Sequence, residues 1–129
     1  MTAVAAERRR LRVQELLDFV GVSYRQLDHA ARKGLFRPWG MGAEELETGS
    51  GFRRDWTDAA VIAAWAANQM AILAGLSFSE ALDRLSSATM EAGELVWSDT
   101  DDQYGLAITV RIPVGDAMVR LAAIREKGT

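Results

Sequence analysis

The chain has 129 residues, a length that suits one compact domain or a small domain with an appendage. Its apolar and charged fractions are those of an ordinary globular protein, and no apolar run approaches the roughly 20 residues that cross a bilayer. Cysteine is absent, which excludes disulfides, thiol catalysis and Cys-ligated zinc. We therefore expect a folded cytoplasmic protein that makes no membrane contact.

The net charge of −3 is unevenly distributed along the chain. Residues 1–54 carry 10 basic and 7 acidic side chains, whereas residues 55–129 carry 5 and 11. A basic excess of this kind is what a polyanion-binding surface needs, but charge alone does not distinguish such a surface from a solvated charged face. Residues 1–9 are predicted to form a basic N-terminal arm.

A helix-turn-helix is predicted near the N-terminus. Apolar residues at helical spacing predict a first helix over about residues 10–20, and Gly21 follows where a left-handed cap ends such a helix. Ser23 and Gln26 form a capping box that opens a second helix, which Gly34 ends. Because only Gly21 and Val22 join the two helices, we expect them to cross steeply.

A candidate wing and a helical pair follow. Residues 38–52 hold four glycines and a proline, so they are predicted to form a loop or an irregular hairpin. Thr57 or Asp58 caps a third helix that runs to about Ala74, with Ile72 and Leu73 among its predicted core residues. Ser77 and Glu80 then open a fourth helix, predicted to run to about Met90.

The last third changes to a β pattern. Residues 95–97 and 106–114 are rich in β-branched or aromatic residues and flank a polar turn, which predicts a β-hairpin. Asp116 caps a last helix through about Glu126. The predicted fold is mainly α with small β: a winged helix-turn-helix, a helical pair, a β-hairpin and a C-terminal helix. Residues 10–90 are expected to form the DNA-binding domain and residues 91–129 an extension.

Three segments resemble a known family. The first segment, residues 21–38, resembles the recognition-helix signature of MerR-family regulators. In that signature a Val-Ser pair opens the helix and a Gly-Leu pair closes it, and the segment here reads GVSYRQLDHAARKGLFRP. The second segment, residues 49–57, is similar to the wing motif of small actinobacterial or actinophage members and reads GSGFRRDWT. The third segment, residues 74–85, resembles the family's closing turn and helix and reads AGLSFSEALDRL. The resemblance implies a winged helix-turn-helix that binds double-stranded DNA. Ala30, Ala31, Asp55 and the long loop before Gly49 depart from the family pattern.

Polar side chains on one face of the second helix are the candidates for contact with DNA. Arg25 is the first candidate for base readout, because Arg can donate two hydrogen bonds to guanine. Ser23, Tyr24 and Arg32 are candidates for phosphate contacts, and Arg53 and Arg54 for wing contacts. Alternatively, Arg25 pairs with Asp28 on the helix surface and Arg32 with a nearby carboxylate. The complete predicted set is Ser23, Tyr24, Arg25, Asp28, His29, Arg32, Arg37, Arg53 and Arg54.

The remaining aromatic and apolar residues suggest further contacts. Trp56, Trp65 and Trp97 are predicted core positions, whereas Trp39 is predicted to be exposed and to contact DNA or a partner protein. Exposed strand edges in the extension are predicted to pair across a two-fold axis, as a homodimer, or to dock a protein partner. The edge residues are Val96, Ile108, Val110 and Ile112.

The leading functional prediction is a sequence-specific transcription regulator that lacks its own chemical sensor. One alternative is an excisionase-like recombination directionality factor or another architectural DNA-binding factor of a phage or mobile element, and another is a protein-interaction module. The sequence contains no phosphate loop, no nucleophile-and-base set and no metal-ligand cluster. We therefore expect no enzyme activity, no cofactor and no metal site.

Overall fold

The computed structural model describes residues 10–41, 55–101 and 105–126. Within them the protein is mainly helical with one small antiparallel sheet, which confirms the predicted fold class at this level. Residues 42–54, which include most of the candidate wing, lie outside the described residues. The elements are α1 Val13–Val20, α2 Tyr24–Arg32, a 3-10 helix Arg37–Trp39, α3 Asp58–Ala74, α4 Phe78–Leu85, β1 Thr89–Glu91, β2 Glu94–Asp101, β3 Leu106–Pro113 and α5 Gly115–Glu126.

Side-chain caps begin three of the helices where the sequence predicts them. The hydroxyl oxygens of Ser23, Thr57 and Ser77 accept hydrogen bonds from backbone N–H groups three residues on, at 3.2, 3.0 and 3.1 Å. Each bond satisfies a donor that the first turn of a helix leaves unpaired. Helix α5 begins at Gly115, so Asp116 lies in its first turn rather than at the cap.

Helix α4 ends earlier than predicted, and a strand replaces its expected last turn. The hydroxyls of Ser86 and Ser87 donate to the carbonyls of Asp83 and Arg84 at 2.6 and 2.9 Å, which closes the helix at Leu85. A helix through Met90 was therefore the wrong prediction. Thr89–Glu91 instead pairs antiparallel with β2 across a two-residue turn, Ala92-Gly93.

The sheet has the order β1-β2-β3, with β2 in the centre. Leu95 lies opposite Ile112 and Trp97 opposite Val110, so the inner face of the hairpin packs on the helices. Val96 and Ile112 are buried, which contradicts their prediction as exposed edge residues. Strand β1 covers one side of β2, and the helices cover Ile112. Ile108 of β3 is 57% exposed.

Helix α3 lies at the centre of the core. Five of its alanines, at positions 60, 63, 64, 66 and 67, are completely buried, and their small side chains let neighbouring elements approach closely. Helices α1, α2, α4 and α5 and the sheet all contribute to this one core cluster. Trp56 is buried in this core, and Trp65 and Trp97 are partly buried and pack against the core. These positions confirm the prediction for all three residues.

The last turn of α3 projects from this core. Ile72 and Leu73 are 71% and 76% exposed, so their prediction as core residues was wrong. The helix continues past the elements that pack on it, and α4 departs at an angle of 116°. In the described part of the chain no single helix is both long and apolar enough to cross a bilayer, and only the bent pair of α3 and α4 would meet that test together.

Helix α5 is anchored to the N-terminal half through two arginines. Arg125, 7% exposed, donates to the Asp58 carboxylate and, at 2.8 Å, to the carbonyl of Trp56. The guanidinium carbon of Arg120 lies 5.2 Å from the ring centroid of Phe19 and 5.9 Å from that of Trp65. Residues of the predicted DNA-binding domain, 10–90, and of the predicted extension, 91–129, therefore share one core.

Candidate nucleic-acid interface

The joint between α1 and α2 holds the two helices in a fixed relation. Gly21 has a φ of +86°, and its N–H donates to Leu17 O at 2.8 Å. The Asn68 side chain on α3 donates to Val20 O at 3.1 Å, which ties the end of α1 to the central helix. The two-residue joint predicted from the sequence is therefore present, and α3 contacts it through the Asn68 side chain.

Helix α2 is divided into a buried and an exposed face. Leu27, Ala30 and Ala31 are buried against the core, together with Phe36 beyond the helix end. Ala30 and Ala31, two of the departures from the MerR pattern, are completely buried at 0% exposure. The opposite face is thereby held outward on a helix that cannot rotate without exposing these side chains.

Most of the predicted DNA-contacting residues that the structure describes lie on this outward side. Arg25, His29, Arg32 and Arg37 are exposed, and Asp28 is half-buried. Ser23 is exposed but serves as the cap of α2. Tyr24 is half-buried and lines a small hollow between α1 and α2. Arg53 and Arg54 lie outside the described residues.

The two arginines of α2 differ in their local partners. Arg32 Nε donates to Asp28 Oδ2 at 2.9 Å, one helical turn away, as the surface-pairing alternative predicts. The predicted pairing of Arg25 with Asp28 is wrong, because Asp28 pairs with Arg32 instead. Within the described part of the chain, Arg25 has no hydrogen bond or ion pair, and its guanidinium is therefore available to a ligand.

The exposed side of α2 forms a shallow, positively charged surface. From Tyr24 to Arg37 the sequence has four Arg or Lys residues and a single acidic residue, Asp28. A hollow of about 480 Å³ runs along α2, lined by Arg25, Gln26, Asp28, His29 and Arg32. Its lining carries several hydrogen-bond donors at helical spacing, which suits an anionic partner with a regular repeat.

The sequence-based set omitted Lys33, which is exposed directly after Arg32. It lines a second hollow with Ser77 and Ser79 at the start of α4, together with the carboxylates of Glu80 and Asp83. The basic run Arg32-Lys33 was visible in the sequence, but its position beside α4 depends on how the helices pack. The two carboxylates make this second hollow less favourable for phosphate than the surface of α2.

The chain returns from the candidate wing next to the end of α2. The Trp56 ring packs edge-on against Phe36 with their centroids 4.9 Å apart. Arg10 and Asp55, both well exposed, approach to 3.8 Å. Trp56 therefore lies beside Phe36, just beyond the end of α2.

Trp39 differs from its sequence-based prediction. It is partly buried and packs against the core, because the 3-10 helix turns it inward and its carbonyl accepts a hydrogen bond from the Thr57 hydroxyl at 2.7 Å. Its prediction as an exposed contact was therefore wrong. The described residues contain no group of three or more His, Asp or Glu side chains arranged to hold a metal ion.

Comparisons with protein-family models, with curated proteins and with solved structures found no match to this chain.

Proposed function

We propose that the protein is a sequence-specific, double-stranded DNA-binding transcription regulator of the MerR-like type, and not an enzyme. The observation that supports this most directly is Arg25, whose exposed guanidinium has no partner within the described residues and lies on the outward face of a helix whose other face is buried. In this proposal α2 lies in the major groove and α1 supports it across the backbone.

The spacing of the exposed residues on α2 suits a groove. Arg25, His29 and Arg32 follow one another at intervals of four and three residues, so they lie along one stripe of the helix. Arg25 reads a guanine through O6 and N7, while Arg32, already oriented by Asp28, holds a phosphate. Arg37 and Lys33 extend the phosphate contacts beyond the helix end.

Several further properties belong to the same proposal. The protein acts in the cytoplasm. It binds DNA as a homodimer, because two half-sites double the contact area that one short helix makes. Arg53 and Arg54 hold the DNA backbone from the wing, as the MerR resemblance implies. Residues 91–129 provide the dimer contact or the docking site for a protein partner.

The test is selection from a pool of random duplexes at near-physiological salt, with sequencing of the retained DNA. The parent protein should enrich a motif, and Arg25→Ala should relax one position of it at a cost of about 1–3 kcal/mol in discrimination. Arg25→Lys should relax the same position while keeping most of the affinity, since lysine keeps the charge but not the paired donors. The Arg53/Arg54 double alanine should weaken binding to all sequences alike.

Arg84→Ala is the matched control, because Arg84 is a partly exposed arginine on α4 and belongs neither to α2 nor to the extension of residues 91–129. It should leave both motif and affinity unchanged. Failure of the folded parent protein to retain any duplex contradicts the proposal. Tandem sites with pronounced bending of the DNA, in place of a palindromic site, would identify an architectural factor instead.

A further inference from the structure

His29 is the single histidine of the chain, and it lies on the outward side of α2. Its side chain is exposed and lines the shallow hollow that runs along this helix. Within the described residues its ring has no hydrogen bond or ion pair. Because cysteine is absent, imidazole is the one type of side chain in this protein that ordinarily gains and loses a proton close to neutral pH.

The charges around His29 in the free protein are mostly positive. Arg25 lies four residues before it, and Arg32 and Lys33 lie three and four residues after it, spacings that bring Cβ atoms on a helix to about 5–6 Å. The one acid nearby, Asp28, accepts a hydrogen bond from Arg32 at 2.9 Å, so its charge is already paired. The described residues that line the hollow all belong to α2, so these side chains are the charged groups that surround the imidazole there.

A DNA duplex brings the opposite charge to this surface. In the proposed complex the exposed stripe of α2 faces the major groove, between two rows of phosphates. Negative charge nearby favours the protonated form of an imidazole. The protonated ring donates hydrogen bonds from both nitrogens, whereas the neutral ring donates only one, and the acceptors in the groove are phosphate oxygens and the N7 and O6 atoms of guanine. His29 therefore binds the duplex more strongly as a cation than as a neutral ring.

We propose that DNA binding by this protein takes up one proton at His29, so that its affinity for the duplex increases as the pH falls. A group that holds a proton more tightly in the complex than in the free protein makes formation of the complex depend on pH. The added affinity is present where the imidazole is protonated and is lost as the pH rises. Arg25 and Arg32 remain charged throughout and contribute no such dependence. This coupling rests on the function proposed above, because it concerns the same surface of α2.

The first test measures the affinity for one selected duplex at about pH 6 and about pH 8, at constant ionic strength. The ratio of the two affinities should be at least threefold larger for the parent protein than for His29→Gln. Glutamine keeps a hydrogen-bonding side chain without a charge, and the variant shares every other titrating group with the parent. His29→Lys, which is charged at both values, should bind at the higher pH more tightly than the parent does and should lack the parent's dependence on pH.

The second test follows the proton itself by NMR, in protein labelled with carbon-13 at histidine. Because the chain has one histidine, each protomer gives one Hε1 resonance, and its chemical shift reports the protonation of the ring. The midpoint of its pH titration should move to higher pH when the selected duplex is bound. A duplex without the selected motif, at a concentration too low to be bound, is the control and should leave the midpoint in place.

Parallel pH profiles for the parent and both variants, or a midpoint that bound DNA leaves unchanged, overturn the coupling and leave the proposed function in place. If the folded parent protein binds no duplex at any pH, the proposed function itself fails. Circular dichroism melting checks that both variants fold, as the exposed position of residue 29 favours. If His29→Gln binds no duplex, His29→Lys decides, because a pH profile as steep as that of the parent overturns the coupling and a flat profile supports it.

Discussion

Gly21 shows how one residue closes the joint between two helices. Its φ of +86° lies in the left-handed region, which costs other residues about 1–2 kcal/mol. A Cβ added there would also lie 2.9 Å from Asn68 Nδ2, the atom that donates to Val20 O. Both backbone conformation and space therefore require glycine at this joint.

Gly21→Ala should lower the free energy of unfolding by about 2–3 kcal/mol, since the left-handed strain adds to the loss or distortion of the Asn68 bond. Gly75→Ala is the control, because Gly75 caps α3 with a φ of +70° but has nothing within 4 Å of its added Cβ. It should cost only about 1 kcal/mol. Urea unfolding of both variants measures the difference, and equal losses would show that Asn68 moves aside freely.

At the scale of elements, α5 is attached to α3 through a largely buried ion pair. Arg125 is buried, whereas the Asp58 side chain keeps 31% of its exposure at the start of α3. Breaking such a pair leaves a charge that is partly removed from water, which costs more than an exposed pair contributes. The additional bond to Trp56 O connects the same arginine to the segment that returns from the wing.

Arg125→Ala should therefore destabilise the protein by about 3 kcal/mol, the lower end of the range for buried pairs because Asp58 is partly solvated. Arg111→Ala breaks the exposed Arg111–Glu94 pair, 3.7 Å apart, and should cost less than about 1 kcal/mol. Thermal melting compares the two variants. Similar losses would indicate that water reaches the Arg125 site.

The turn between β1 and β2 carries strain that a substitution should relieve. Ala92 and Gly93 have φ of +49° and +80°, the pattern of a type I′ turn, which favours Asn-Gly. Ala92→Asn should stabilise the protein by about 0.5–1 kcal/mol, since asparagine tolerates the left-handed region better than alanine does. Chemical denaturation measures the gain, with Ala123→Asn on the exposed side of α5 as a control that should not stabilise.

At the scale of the whole molecule, large apolar side chains remain exposed in several places of the described structure. They are Ile72 and Leu73 at the end of α3, Met90 on β1, Ile108 on β3, and Met118 and Val119 on α5. A homodimer formed through the edge of the sheet would use Ile108, because Val96 and Ile112 are buried within the monomer.

Ile108→Lys should therefore convert the dimer into a monomer, whereas Leu73→Glu should leave it dimeric. Light scattering coupled to gel filtration determines the mass of each variant. A monomer produced by Leu73→Glu alone would move the contact to the end of α3. A parent protein that is monomeric at every concentration would contradict the homodimer itself.

The local elements of this protein were predictable because their signals lie within a few residues of each other. The caps at Ser23, Thr57 and Ser77 and the glycines that end α1 and α3 need only their near neighbours along the chain. The same holds for the hairpin of β2 and β3, whose β-branched residues flank a polar turn. Sequence alone therefore determined the order and type of most elements.

Tertiary packing determined which side of each element is buried and which is exposed to solvent. The exposure of Ile72 and Leu73, the inward position of Trp39 and the burial of Arg125 depend on neighbours that are distant in sequence, such as Asp58 for Arg125. Strand β1 was missed because it has only three residues and forms by pairing with β2. Burial is a property of two surfaces at once, so the exposure of the Arg25 guanidinium could be established only from the folded chain.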